Sequence, residues 1–348
     1  MRTQPSIVAL SCPDLVQKIR FATLASMLCL LAFVASLASA RAGTLYLATA
    51  AGGSGELYII DPATGATLKD VGPLNDSSSA NYGVTGLAFH PTTGVLYGSS
   101  ASSDIATRAR LLTIDPATAQ VTVIGSYNAA DATMADIAFD STGVLYGAAS
   151  KNGPNLFSID TTTGQATQIG NTFLTSTSGG GIAVDSTGVI YGAPTASRFG
   201  TYNLSDGTFI NNGTLDKPAG GGAYAALAFD EHGVLYGLNS GPGTPPPTHL
   251  VIINTNDLTV TDIGVSVSAG DAIAFQPSLA LPALTIAAQG ASQAILRWPD
   301  SPGFQLEYIG NLNNSIWLTN TTTPTVDNGT NVVTVTVQGA SFFRLHKP

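Results

Sequence analysis

Residues 86–125 read GLAFHPTTGVLYGSSASSDIATRARLLTIDPATAQVTVIG. Four short apolar runs stand between turn signals, with H-P-T-T-G joining the first pair and D-P-A-T-A the last pair. Runs of this length bounded by Pro, Gly and Asp predict strands. The unit then returns, imperfectly, along the chain. The alanine of its first run recurs as Ala88, Ala138, Ala183, Ala228 and Ala274, in steps of 50, 45, 45 and 46 residues. A period of this size with four strands in each unit is the pattern of a β-propeller blade.

The innermost runs are 86–89, 136–139, 181–184, 226–229 and 272–275, and both their faces are apolar, as a strand sandwiched between neighbouring blades requires. The second runs are GVLYG at 94–98, 143–147 and 233–237, and GVIYG at 188–192. The third runs end in Asp115, Asp160, Asn203 and Asn254, residues that open turns by bonding their own backbone two positions on. The fourth runs are more polar and suit an outer edge that meets water.

The two ends of the repeat region complement each other. Residues 43–47, 56–61 and 67–72 supply strands two, three and four of a blade without its first strand. Residues 272–275 supply a first strand without the other three. Pairing them closes a ring of five blades; four blades leave repeats unused, and a sixth has no sequence. The propeller is therefore expected over 41–277, followed by a linker at 278–282. About six further strands are read within 283–348, at 283–287, 293–298, 304–308, 315–317, 332–337 and 342–345. They predict a small C-terminal β-sandwich with Trp298 and Trp317 in its core.

Composition agrees with an all-β chain. Of the 348 residues 44% are hydrophobic, enough for a large core, and only 10% are charged. Lys18 and Arg20 precede the apolar run FATLASMLCLLAFVASLASA, which ends in Ala38-Ser39-Ala40. A basic start, an apolar middle and small residues at the end describe a secretory signal over 1–40, with the A-x-A ending favouring cleavage over retention as a membrane anchor. Cys29 follows Ser26-Met27-Leu28, too bulky for a lipoprotein signal. Cys12 and Cys29 both lie in this leader, so the mature chain has neither disulfides nor cysteine chemistry. The leader also holds Arg2, Lys18, Arg20 and Asp14, which leaves 10 basic against 21 acidic residues, a net charge of −11. Such a chain disfavours nucleic acid and anionic lipid. Secretion or cell-surface display is the expected localisation, with no membrane insertion after signal cleavage.

The phrases LAFHPTTGVLYG, LYIIDPATGAT and LLTIDPATAQVTVIG resemble secreted bacterial propeller families of the NHL and YVTN kind, among them exported families without an assigned function. The resemblance spans about 43–277 and implies the fold; its motifs are core and turn residues and specify no ligand. The tail, with ILRWPDSPGFQLEY and a terminal FFRLHKP, resembles a small C-terminal β-module of exported proteins from Verrucomicrobia-type bacteria. That resemblance implies sorting to, or attachment at, the cell envelope.

Few residues point to chemistry. Asp136 and Asp271 stand at or just before the start of innermost strands, where other repeats carry Gly86, Gly181 and Ala226. Two such carboxylates are read either as loop caps that bond backbone amides or as a ligand-binding pair at the channel mouth, for acid–base work or for a cation. Asp140, Asp185 and Asp230 recur directly after the first strand and read as turn residues. The GVLYG tyrosines Tyr97, Tyr146, Tyr191 and Tyr236 read as buried between blades, whereas Tyr82, Tyr127 and Tyr224 fall outside those runs and are expected on an exposed binding surface. His249 and His346 lack partners at metal-ligand spacing, and neither a metal nor another cofactor is expected. No catalytic residue is assigned. The function these observations favour is non-enzymatic binding or display of a glycan or protein ligand. A polysaccharide hydrolase or lyase using Asp136 and Asp271, and a structural envelope component, are the alternatives.

Overall fold

The computed structural model describes residues 43–348 except 51–53, 101–106, 129–132, 150–152, 176–178, 279–282, 291, 301–303, 312–315, 328, 338–340 and 347–348. The predicted leader at 1–40, with Cys12 and Cys29, and most of the predicted linker lie outside the described residues.

The fold is all-β: no helix occurs among the described residues, and none is long and apolar enough to cross a membrane. Twenty strands make five four-stranded antiparallel sheets. The first sheet holds β1 (Leu45–Thr49), β2 (Glu56–Ile60) and β3 (Thr67–Pro73). The second holds β4 (Val84–Phe89), β5 (Leu96–Ser100), β6 (Arg110–Ile114) and β7 (Val121–Ser126). In the third are β8 (Met134–Phe139), β9 (Leu145–Ala149), β10 (Leu156–Ile159) and β11 (Ala166–Gln168). The fourth comprises β12 (Gly181–Val184), β13 (Ile190–Thr195), β14 (Arg198–Tyr202) and β15 (Phe209–Gly213). The fifth comprises β16 (Ala223–Phe229), β17 (Leu235–Ser240), β18 (Thr248–Ile253) and β19 (Val260–Val265). The last strand, β20 (Gly270–Phe275), pairs antiparallel with β1 and completes the first sheet in the order β20-β1-β2-β3.

One register repeats in all five sheets. Ala88 opposes Tyr97, Ala138 opposes Tyr146, Ala183 opposes Tyr191, Ala228 opposes Tyr236, and Ala274 opposes Tyr46. The first sheet thus obeys the rule of the others although its two strands come from opposite ends of the region. The innermost strands pack side by side in cyclic succession: β20 on β4, β4 on β8, β8 on β12, β12 on β16, and β16 on β20. Five buried apolar clusters lie one between each neighbouring pair of sheets, and each draws residues from both. That arrangement is why strands such as β1 and β9 are buried on both faces, while β3 and β15 are largely exposed.

Ring contacts follow the same succession. Tyr46 meets Phe89 at 5.4 Å, Tyr97 meets Phe139 at 5.2 Å, Tyr191 meets Phe229 at 5.6 Å and Tyr236 meets Phe275 at 4.9 Å between centroids. Each links a second strand to the innermost strand of the next sheet, and the tilted or edge-on rings add to simple burial. The remaining junction has Val184 at the phenylalanine position.

Residues 285–346 add seven strands: β21 (Thr285–Gln289), β22 (Gln293–Pro299), β23 (Gln305–Ile309), β24 (Leu318–Thr319), β25 (Thr325–Asp327), β26 (Thr330–Thr336) and β27 (Phe342–His346). They form two sheets, β21-β22-β26-β25 and β24-β23-β27, sharing one apolar cluster around Leu296, Trp298, Leu306 and Val333. Two expectations need correction. Of the strand predicted at 315–317, Ser315 lies outside the described residues and Ile316 and Trp317 are not strand; the strand is at Leu318–Thr319, and Thr325–Asp327 is an additional one. Trp298 is buried, but Trp317 is only half-buried because the Arg344 guanidinium, 4.4 Å from its ring centroid, covers it in place of the core.

Candidate functional site

Near the axis the inner strands approach too closely for most side chains. A Cβ on Gly86 would stand 2.7 Å from the Ile137 nitrogen, and one on Gly181 would stand 2.9 Å from the Ala226 carbonyl carbon. These positions lie two residues before the repeating alanine, and the third sheet has Asp136 there. Innermost strands have no hydrogen-bonding partner on their axial edge, so the amides that face inward need another acceptor. Asp136 is that acceptor. One of its oxygens takes the Ile137 amide at 2.9 Å, and the other takes those of Ile182 at 3.0 Å and Leu227 at 3.1 Å. Ile137, Ile182 and Leu227 occupy the same position in three successive sheets. The carboxyl has no solvent exposure, and burial raises its pKa well above the usual range. The three amides pull the other way, and the Asp271 charge pushes it up further. Asp136 is therefore an axial cross-link, with every oxygen engaged.

Asp271 lies in β20 at a register shift: Ala48 opposes Ala272 and Thr49 opposes Gly270, so Asp271 is the extra residue of a bulge. It is half-buried, and burial pushes its pKa up to about 7.

The three tyrosines expected on an exposed surface are not there. Tyr82, Tyr127 and Tyr224 are 5%, 1% and 3% exposed. They belong to the apolar clusters at the first-to-second, second-to-third and fourth-to-fifth junctions, where their rings seal the end of the inter-sheet core. The Tyr82 hydroxyl donates to Asp76 at 3.0 Å and that of Tyr224 to the Asp216 carbonyl at 2.6 Å.

The open space lies at the other end of the strands. A cavity of about 640 Å³ begins just past the crowded level, at Leu87, Ile137, Leu227 and Ile273. Its walls are the five repeating alanines and, one residue later, Phe89, Phe139, Val184, Phe229 and Phe275. Its rim carries Asp140, Asp185, Asp230 and Glu231 together with His232. The three aspartates serve turns: each accepts backbone amides two and four residues on, as in Asp140 from Thr142 and Val144 at 2.9 and 3.0 Å. Burial raises Asp140 and Asp185, but hydroxyl and amide donors outweigh it and hold both carboxyls below their ordinary range. The sequence contained the signal for this cavity, in the aromatic residue that follows four of the five alanines; within an apolar run it reads as core.

Among the described residues no three His, Cys, Asp or Glu side chains are grouped to hold a metal ion. The tail has its own charged group: Glu307 accepts from the Arg344 Nε at 2.7 Å and lies 3.1 Å from the His346 Nδ1. The Arg344 hydrogen bond, its charge and that of His346 outweigh burial and hold Glu307 below its ordinary pKa.

Comparison with known proteins gives a family match over residues 54–208, to a repeat of unknown function, DUF6923. No curated protein matches the chain. Among solved structures, a protein of unknown function from Bacteroides thetaiotaomicron is similar at 15% identity over 75% of this chain and 68% of that one, with a TM-score of 0.42. A gluconolactonase from Xanthomonas campestris aligns at 11% identity over 74% and 83% of the two chains, with a TM-score of 0.39. The Dos1 propeller aligns at 13% identity over 70% and 60%, with a TM-score of 0.33. The activity in a neighbour's name belongs to that neighbour.

Proposed function

We propose that this chain is an exported, non-enzymatic binding protein: a five-bladed β-propeller closed by a composite blade, followed by a small β-sandwich. The shared Ala–Tyr register, the cyclic packing of the inner strands and the pairing of β20 with β1 support the five-bladed reading. Export rests on the basic and apolar leader ending in Ala38-Ser39-Ala40 and on the absence of cysteine after it. The tail then serves attachment at the cell envelope.

One observation carries the binding function. The axial cavity has a volume within the ordinary range for ligand sites and an apolar wall, while the recurring carboxylates at its rim are held in turns. Asp136, the sequence candidate for acid–base work, has both oxygens committed to backbone amides. A glycan or protein ligand bound on the face where the cavity opens fits this arrangement. The test is a glycan and protein array probed with the purified chain and with a Ser141→Trp/Ser186→Trp variant, which fills the rim at two exposed positions. Saturable binding lost in the variant supports the site. Binding that survives moves it elsewhere, and silence on every array feature favours a structural envelope role.

A further inference from the structure

We propose that the axial cavity receives a small organic ammonium ion with an apolar body. This rests on the cavity being a ligand site and names the chemical class of the group that the ligand on the open face inserts into it, for which a free ammonium ion serves as the probe. Three features converge. The wall carries four phenylalanine rings, Phe89, Phe139, Phe229 and Phe275, and the last three are only half-buried, leaving them accessible from the cavity. Aromatic faces attract cations, most strongly when water is excluded. The rim carries four carboxyl groups against a single histidine, His232, whose Nδ1 lies 3.7 Å from Asp230, and neither lysine nor arginine lines any part of the cavity. The turn donors at Asp140 and Asp185 favour their ionised form, so the negative rim persists at neutral pH. Finally, the cavity ends against the crowded level of Gly86 and Asp136, so it holds a compact molecule and does not pass a chain along the axis. An anion meets a repelling rim, and a neutral apolar molecule leaves that field unused.

The test is calorimetric titration of the full chain with (3-hydroxyphenyl)trimethylammonium and with its uncharged isostere 3-tert-butylphenol. The ammonium ion is expected to bind at least tenfold more tightly than the isostere. Glu231→Lys, a change at an exposed rim residue, is expected to weaken the ammonium ion at least threefold and leave the isostere unaffected. Phe139→Leu, which keeps an apolar side chain but removes a ring, is expected to reduce the preference for charge. A melting curve for each variant separates these effects from loss of fold. Equal binding of the two probes overturns the ammonium inference and leaves the cavity as a binding site. Binding of neither at millimolar concentration overturns it as well, while the array experiment decides the broader binding function by itself.

Discussion

The Asp136 carboxylate accepts the amide of Leu227, 91 residues further along the chain, at 3.1 Å. With Ile137 and Ile182 it joins three inner strands through one side chain. Asp136→Ala leaves three buried amides without that acceptor, each costing about 1–3 kcal/mol if nothing replaces it. The expected loss is about 3 kcal/mol or more, read as a lower midpoint in urea unfolding. An unchanged midpoint would show that water satisfies the axis equally well.

Asp271 sets a pH dependence. Its pKa lies near 7 in the folded chain against an ordinary 3.8, so between those values the folded form binds the extra proton. Stability from this group is complete below the lower value and declines as pH rises through 7. Asp271→Asn, neutral throughout, is expected to flatten that decline and raise the melting temperature at pH 8 by about 3 °C or more. Parallel pH profiles for the two proteins would contradict the assignment.

The Tyr–Phe contacts predict measurable coupling across a junction. A double-mutant cycle on Tyr236→Leu and Phe275→Leu should give about 0.5–1.5 kcal/mol of interaction energy. The corresponding cycle on Tyr146→Leu and Val184→Ala, at the junction without a second ring, should give a smaller value. Equal couplings would mean that burial alone, and not ring geometry, holds the sheets together.

Both tryptophans of the chain lie in the tail, so intrinsic tryptophan fluorescence reports on that region alone. Arg344→Ala uncovers Trp317 and leaves Glu307 without its closest cation. A red-shifted emission is expected, with the circular dichroism melt of the first five sheets little changed. An unshifted spectrum would show that Arg344 does not shield the indole.

The architecture was legible because it is written in repeated, local signals. Ala88 and Tyr97 lie on strands joined by a short turn, so their pairing needs only strand alternation and a glycine at its end. The complementary ends were readable because the missing strand of one is the surplus strand of the other. The site was less legible, since exposure depends on where loops settle. Tyr82 stands in a polar stretch, yet its ring closes a core built from two sheets. Asp136 could be read as a cap for backbone amides or as a functional carboxylate, since its counterparts in the other repeats are small. That contrast was real, but its cause is the unpaired axial edge of three strands, which no single repeat displays. Phe229 and its equivalents read as interior residues; they do pack against the inter-sheet cores, but they also wall the cavity, which the apolar run does not reveal.

The pairing of β20 with β1 also imposes an order on the chain's birth. Leu45 emerges early, yet its partner Phe275 comes only after four complete sheets have been made. Until then β1 presents an open strand edge to any passing chain, and a contact of such long sequence separation forms slowly. A protein built this way cannot complete its first sheet until the last strand of that region has been made, so closure should be a late, single step of folding.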